Sequence, residues 1–284
     1  MNPLVYIIVL NWNGKDLTLD CLKSLIKVQY DNCKILVVDN GSIDDSVSAI
    51  KSRYPNVDIL RIDSNIGYAA GNNAGFEHVK KVNPKYIIFL NNDTIVDENF
   101  IEPLVNPLVK NSNIGQTAPK IFYAIDKNKI WYAGGKVNLW LGQIYHIGIR
   151  KKDSIKYSES QSIDYATGCC FCMSYQDFEE IGGFDEAFQM YGEDVDLSLR
   201  IRSYGKKILY APNSIVWHEV SATIGGNLNV KKMMLKLSGI FIIMKNHSNI
   251  IQIVSGFLFL IFLNLPIYLF RGLYHCMFSG EDKI

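Results

Sequence analysis

The stretch YIIFLNNDTIVD (residues 86–97) decides how the chain is read. Tyr86 to Leu90 form a largely apolar run, short enough and continuous enough for a strand buried on both faces. The chain then turns abruptly to Asn91, Asn92 and Asp93. Asn and Asp are common turn residues because their side chains hydrogen-bond their own backbone. Strand ends in open α/β sheets are also where ligands bind. Taken alone, the stretch favours the turn, and the residues around it have to decide.

Working outward, LVYIIVL (4–10) is another continuous apolar run, rich in β-branched residues. DLTLDCLKSLIKV (16–28) repeats apolar residues at the spacing of an amphipathic helix. KILVVDNGS (34–42) and VDILRI (57–62) read as strands, DDSVSAIKSRY (44–54) and AAGNNAGFEHVKKV (69–82) as helices. The alternation predicts βαβ units with right-handed crossovers, hence a Rossmann-like, mostly parallel sheet covered on both faces. After about residue 115 the rhythm changes to strands with glycine turns, which predicts a smaller mixed or antiparallel layer. The charged stretch 150–160 reads as a loop, and GEDVDLSLRIRSYGKK (192–207) returns to helix.

Three predicted strands end in the same way. Leu10 is followed by Asn11-Trp12-Asn13, Val38 by Asp39-Asn40, and Leu90 by Asn91-Asn92-Asp93. One such ending is a turn; three on neighbouring parallel strands define the edge of a sheet where nucleotides sit. The usual phosphate devices are absent, since neither G-x-G-x-x-G nor G-x-x-x-x-G-K-[ST] occurs. The GYAAGNNAG run (67–75), with glycines four apart, suits tight helix packing better than a phosphate cradle. A divalent cation on Asp93, sharing the oxygens of a diphosphate, would supply the missing positive charge.

Downstream, Glu193, Asp194 and Asp196 fall at the expected start of a helix, where capping and the helix dipole already favour carboxylates. Capping accounts for one or two acids there, and a carboxylate beside a phosphate-metal site can serve as a general base. CCFC (169–172) has C-x-x-C spacing with no partner pair in view, so it reads as a buried strand. Tyr123, Trp131, Tyr132, Trp140 and Tyr145 cluster in mid-chain as core or as the wall of an acceptor groove.

With 284 residues, 48% of them hydrophobic, and a formal net charge of +1, the chain is neither disordered nor a nucleic-acid binder. Its six cysteines are too unevenly spread for a disulfide scaffold. MNPLVYIIVLNWN carries no basic n-region or small-residue cleavage site, so the globular part is expected in a reducing cytosol. Residues 250–270, IIQIVSGFLFLIFLNLPIYLF, are uncharged and close to the ~20 residues of a spanning helix. They are expected to associate with the membrane from its cytoplasmic side, with Pro266 able to bend them into an interfacial segment.

The words IIVLNWNG (7–14), VVDNGSIDDS (37–46), NIGYAAGNNAG (65–75), FLNNDT (89–94), GGFDEAFQMYGEDVDLSLR (182–200) and VWHEVSAT (216–223) stand in order along one chain. Together they resemble the inverting, nucleotide-sugar glycosyltransferases of family 2, in the branch that includes rhamnosyltransferases. The resemblance implies the glycosyltransferase A fold over residues 1–225, with a nucleotide-binding half (1–115) and an acceptor half (116–225), followed by a membrane-associating segment (226–284). It places the donor against Asn11, Asn13, Asp39, Asn40, Asn65, Gly67, Asn72, Asn91 and Asn92, with Asp39 at the base or ribose. NND takes the position of the family's Asp-x-Asp motif, leaving Asp93 as the aspartate for Mg2+ or Mn2+ and Asn91 as a departure from it. Asp194 takes the place of the catalytic base, supported by Glu193, and His218 that of a histidine at the metal or diphosphate. The implied reaction moves a sugar, such as rhamnose from dTDP-rhamnose, onto a lipid-linked or polysaccharide acceptor in cell-surface glycan synthesis. Two competing readings are a nucleotidyltransferase, which would want a glycine- and arginine-rich loop near residue 11, and a degenerate membrane scaffold, favoured by Asn91 and opposed by the intact GED.

Overall fold

The computed structural model describes residues 2–220 and 230–264. The first half alternates as expected: β1 (Val5–Asn11), α1 (Lys15–Leu25), β2 (Cys33–Asn40), α2 (Ser46–Arg53), β3 (Asp58–Ile62), α3 (Tyr68–Val79) and β4 (Tyr86–Asn91). A short β5 (Thr94–Val96) and α4 (Ile101–Lys110) follow. Strands then dominate: β6 (Ile114–Tyr123), β7 (Ile130–Tyr132), β8 (Gly135–Asn138), β9 (Gln143–His146), β10 (Gln161–Ile163) and β11 (Cys170–Ser174). The chain continues through α5 (Tyr175–Ile181), α6 (Glu193–Ser203), β12 (Lys207–His218), α7 (Val230–His247) and α8 (Ile250–Phe259).

The large sheet runs β10-β12-β6-β11-β4-β1-β2-β3, with β5 and β7 pairing at its side. From β4 to β3 it is parallel, and β1 lies between β2 and β4. The chain therefore winds outward from β1 to β3, then returns to the other side of β1. That reversal is a topological switch point, and it opens a crevice at the carboxyl ends of β1 and β4. The apolar runs of β1 and β4 are enclosed because helices cover both faces of this parallel part. On α1 the buried residues Thr18, Leu19, Cys21, Leu22 and Leu25 keep the period of a helix packed on one side.

The glycines of α3 do the packing that their spacing predicted. A Cβ at Gly71 would lie 2.7 Å from Leu10 Cδ1, and one at Gly75 would lie 2.8 Å from Ile8 Cγ2 and Val38 Cγ2. The helix can approach the sheet this closely only without side chains there.

The later strands differ from the expected separate layer. β11 inserts antiparallel between β4 and β6, and β12 runs parallel to β6, so they extend the main sheet. Cys170 to Met173 are buried along β11, giving it the apolar character an interior strand needs. Among the described residues the β8–β9 hairpin forms the second sheet, antiparallel and two-stranded. The stretch 150–160 contains one short 3-10 turn, Ile155–Tyr157.

Of the uncharged stretch 250–270, the described part is α8 and one π turn, Leu260–Asn264; residues 265–270 lie outside the described residues, as do 221–223 and 226–229. Among the described residues no helix is long and apolar enough to cross a membrane. α8 packs on one side only. Gln252, Ile253 and Gly256 are turned toward the domain, while Ile250, Ile251, Val254, Phe257 and Leu258 face outward.

Candidate active site

The three polar strand ends meet at one edge, with Asn11 opposite Asp39 and Leu10 opposite both Val38 and Asn91. Asn11 is completely buried and acts as the hub. Its Nδ2 donates to Asp39 Oδ1 (2.9 Å) and Ser42 Oγ (3.2 Å). Its Oδ1 accepts from Thr18 Oγ1 (2.8 Å), Asn92 Nδ2 (3.2 Å) and the Gly14 amide (3.2 Å). A network so fully satisfied fixes the mutual positions of the loops after β1, β2 and β4.

The donor-binding positions expected from sequence separate into two kinds. Asn11, Asp39, Asn40 and Asn72 are enclosed and hold backbone in place. Asp39 accepts the Ser42 amide, and Gly41 at φ +75 turns the chain against the backbone of Ser64, where any side chain would collide. Asn40 ties Asn65, Ile66 and Gly67 to the same edge, and Asn72 Nδ2 donates to Tyr68 O within α3. Asn13 and Asn65 are the exposed members, Asn13 in a left-handed conformation (φ 50) with its Oδ1 accepting the Ile43 amide. Asn91 and Asn92 are half-buried, and Asn92 Nδ2 also donates to Thr18 Oγ1 (2.9 Å).

Asp93 lies just beyond β4, and β12 brings His218 to it by pairing His218 with Thr94. Asp93 Oδ1 is 3.2 Å from His218 Nε2. Both side chains are nearly buried, yet Asp93 Oδ1 and His218 Nδ1 have no hydrogen-bond partner. Orphaned polar atoms in such a place are costly unless something completes them. Trp131 holds the imidazole from the side, its ring edge-on to His218 at 4.5 Å and edge-on to His146 at 4.5 Å. Burial pushes the His146 imidazole down to about 4, so it stays neutral.

The acids of α6 take separate places. Gly192 (φ 110) and Tyr191 (φ 69) both adopt left-handed backbone and aim the first turn of α6 at the crevice. Asp194 Oδ2 accepts the Gly168 amide (2.7 Å) and Oδ1 accepts the Val195 amide (2.8 Å). Burial still raises its pKa above the ordinary carboxyl value, against the opposing pull of these amides. Glu193 is buried with Oε2 unpartnered, and burial together with the Asp194 charge pushes it up to about 8. Asp196 turns away to Arg200 Nε (2.7 Å) and His247 Nε2 (2.7 Å), which outweigh its burial and hold it below the usual range. One short segment joins the two acidic positions: Gly168 donates to Asp194, and Cys169 O accepts the Asn91 amide (2.9 Å). Asp194 and Asn91, two residues before Asp93, are therefore both tied to the Gly168–Cys169 backbone.

A model of glycosyl transferase family 2 matches residues 6–182. The chain belongs to that family. A model described as the N-terminal domain of galactosyltransferase matches residues 152–219. This family 2 protein is 25% identical over 209 residues to an N-acetylglucosaminyl-diphospho-decaprenol L-rhamnosyltransferase of Mycobacterium tuberculosis, covering 67% of this chain and 68% of that one. It is 28% identical over 221 residues to rhamnosyltransferase WbbL of Escherichia coli, covering 74% and 81%. The solved structure of GalNAc-T7 with UDP, GalNAc and Mn2+ superimposes with a TM-score of 0.64 at 22% identity, over 76% of this chain and 44% of that one. The chain is thus a rhamnosyltransferase-like glycosyltransferase with the glycosyltransferase A fold.

Among the described residues no three His, Cys, Asp or Glu side chains converge as a metal site, and Cys170 to Cys172 of CCFC are buried in β11. Asp93 Oδ1, without a hydrogen-bond partner and 3.2 Å from His218 Nε2, nevertheless fits a cation whose remaining ligands would come from a diphosphate and water. Sequence reading passed over Thr18, Ser42 and Gly168. Thr18 and Ser42 look like helix and turn filler, and Gly168 acts through its backbone alone.

Proposed function

We propose that the protein is an inverting, metal-dependent glycosyltransferase that takes a sugar from a nucleoside diphosphate donor. The observation that carries this reading is the different setting of two carboxylates: Asp93 beside His218, and Asp194 held on two backbone amides, one of them from Gly168 next to the residue that pairs with Asn91. The donor's contacts are the exposed Asn13 and Asn65 and the half-buried Gly67 backbone, Asn91 and Asn92, on loops fixed by Asn11, Asp39, Asn40 and Asn72. Asp93 and His218 would hold Mg2+ or Mn2+, which would supply positive charge to the leaving diphosphate. Asp194 takes the proton of the acceptor hydroxyl as that oxygen bonds the anomeric carbon. The bond from that carbon to the diphosphate breaks on the opposite face, which inverts the centre and needs no second nucleophilic carboxylate. Burial and the neighbouring Asp194 charge push Glu193 up to about 8, so it stays neutral beside Asp194 at pH 7.

Rhamnose from a dTDP donor is the substrate we favour, because two relatives matched over more than two thirds of their own length are rhamnosyltransferases. The acceptor in this reading is lipid-linked, made for a cell-surface glycan at the cytoplasmic face of the membrane. The outward apolar face of α8 supports that location. We retain residues 1–225 as the catalytic unit and 226–284 as the membrane-associating one.

A screen of dTDP-, UDP- and GDP-sugars for nucleoside diphosphate release, with and without Mn2+, tests the reading. Release is expected with one donor class, dependent on the cation, and lost in Asp93→Ala and Asp194→Ala while thermal melts persist. Turnover surviving Asp194→Ala removes the base assignment, and an NMR spectrum showing retained anomeric configuration in the product removes inversion.

A further inference from the structure

The β8–β9 hairpin reaches from the site to α8, and what it encloses there has no part in the chemistry above. At its base His146 packs on Trp131 beside His218; at its tip Ser255 Oγ donates to Trp140 O (2.7 Å). α8 meets the tip so closely that a Cβ at Gly256 would lie 3.2 Å from Gly142 N. Between hairpin, α6 and α8 lies a hollow of about 380 Å³, lined among others by Lys136, Trp140, Tyr145, Arg202 and Gln252.

Two features of this hollow point to one class of ligand. Its cations share a single counter-charge: Lys136 Nζ lies 3.6 Å and Arg202 Nη1 3.3 Å from Asp164. The Val137 amide also donates to Asp164 Oδ2 (3.1 Å), which fixes that carboxylate in place. The trio keeps one positive charge in excess, and half-exposed ion pairs of this kind are weak enough to be exchanged for a phosphate. The second feature is continuity. Trp140 (53% exposed) and Tyr145 (52%) line the hollow together with Gln252 of α8, the helix on which Ile251, Val254 and Leu258 are exposed. Arg202 lies eight residues after Asp194 on α6, hence ~12 Å along its axis.

We infer that this hollow is the subsite for the diphosphate of a long-chain isoprenoid-diphosphate acceptor, with the isoprenoid leaving along α8 into the bilayer and the sugar reaching Asp194. Lys136 and Arg202 take the phosphate oxygens, and Trp140 and Tyr145 flank the junction of headgroup and chain. The inference rests on the lipid-linked acceptor proposed above and assigns where that acceptor is gripped.

The test is co-sedimentation of the full chain with phosphatidylcholine vesicles carrying either a long-chain polyprenyl diphosphate or phosphatidylglycerol at equal charge. EDTA is present throughout, so that the Asp93–His218 pair cannot take the diphosphate through a cation. The unaltered protein is expected to prefer the diphosphate vesicles by at least about tenfold, as charge-assisted pairing implies. Lys136→Gln/Arg202→Gln should abolish that preference, and Trp140→Ala should reduce it, with unchanged melts. If the double variant does not fold, Lys136→Gln alone carries the test. Binding that follows vesicle charge alone, or a preference that survives these substitutions, overturns the subsite. Manganese-dependent donor hydrolysis by the unaltered protein reads the donor site separately, so failure there is distinguishable from failure here.

Discussion

Glu193 and Asp194 stand side by side at the start of α6, yet only the Asp194 side chain accepts backbone amides from other residues. The difference sets their charge states and has a measurable consequence for stability. From its ordinary value of 4.5 up to about 8, Glu193 holds its proton in the folded chain and releases it in the unfolded one. Raising the pH through that window therefore favours unfolding. Glu193→Gln should raise the melting temperature by several degrees at pH 8.5 and leave it unchanged at pH 4.5; equal effects at both would refute the neutral Glu193. Asp194→Asn, nearly isosteric, should lower kcat by about 10²–10⁴ with little change in melting temperature, the range a positioned base contributes. These residues were visible in the sequence because an acid at a helix start is conspicuous. Their different protonation was not, since it depends on the Gly168 amide, contributed by a residue with no side chain to notice.

The elements around the crevice were legible wherever the pattern was local. β1 to β4 and the helices between them fell close to their expected spans because apolar period and turn residues decide them. β11 and β12 were harder, because their places in the sheet depend on partners far away in sequence. Gly75→Ala is expected to cost about 1–3 kcal/mol in a urea titration, since its Cβ would press on Ile8 and Val38. A second case is the β8–β9 hairpin. His146 is neutral down to about 4 when folded but is protonated below 6.5 when unfolded, so acid between those values weakens the fold. His146→Phe should shrink the difference between urea midpoints at pH 7 and pH 4.5; an unchanged difference would place the acid sensitivity elsewhere. α7 closes the other side, where Gly239 lies against the Tyr191 carbonyl and His247 against Asp196.

For the molecule as a whole, Asp93 follows a strand of the main sheet, Asp194 sits on α6 and is tied to Gly168, and one helix beyond carries exposed apolar residues. Hydropathy alone marked residues 250–270 as a candidate span; packing shows that the described part of that stretch is a helix docked along one side through Gly256. Ile251→Glu/Phe257→Glu should release the protein from membranes in flotation without altering its melting temperature, and continued flotation would assign attachment to other residues. The account stands most directly on the separation of roles between Asp93 and Asp194, and calorimetric titration of the nucleoside diphosphate selected by the donor screen measures it. Manganese should tighten binding to the unaltered protein and to Asp194→Asn, which binds without turning over, but not to Asp93→Asn. Full manganese-dependent tightening in Asp93→Asn would contradict the account.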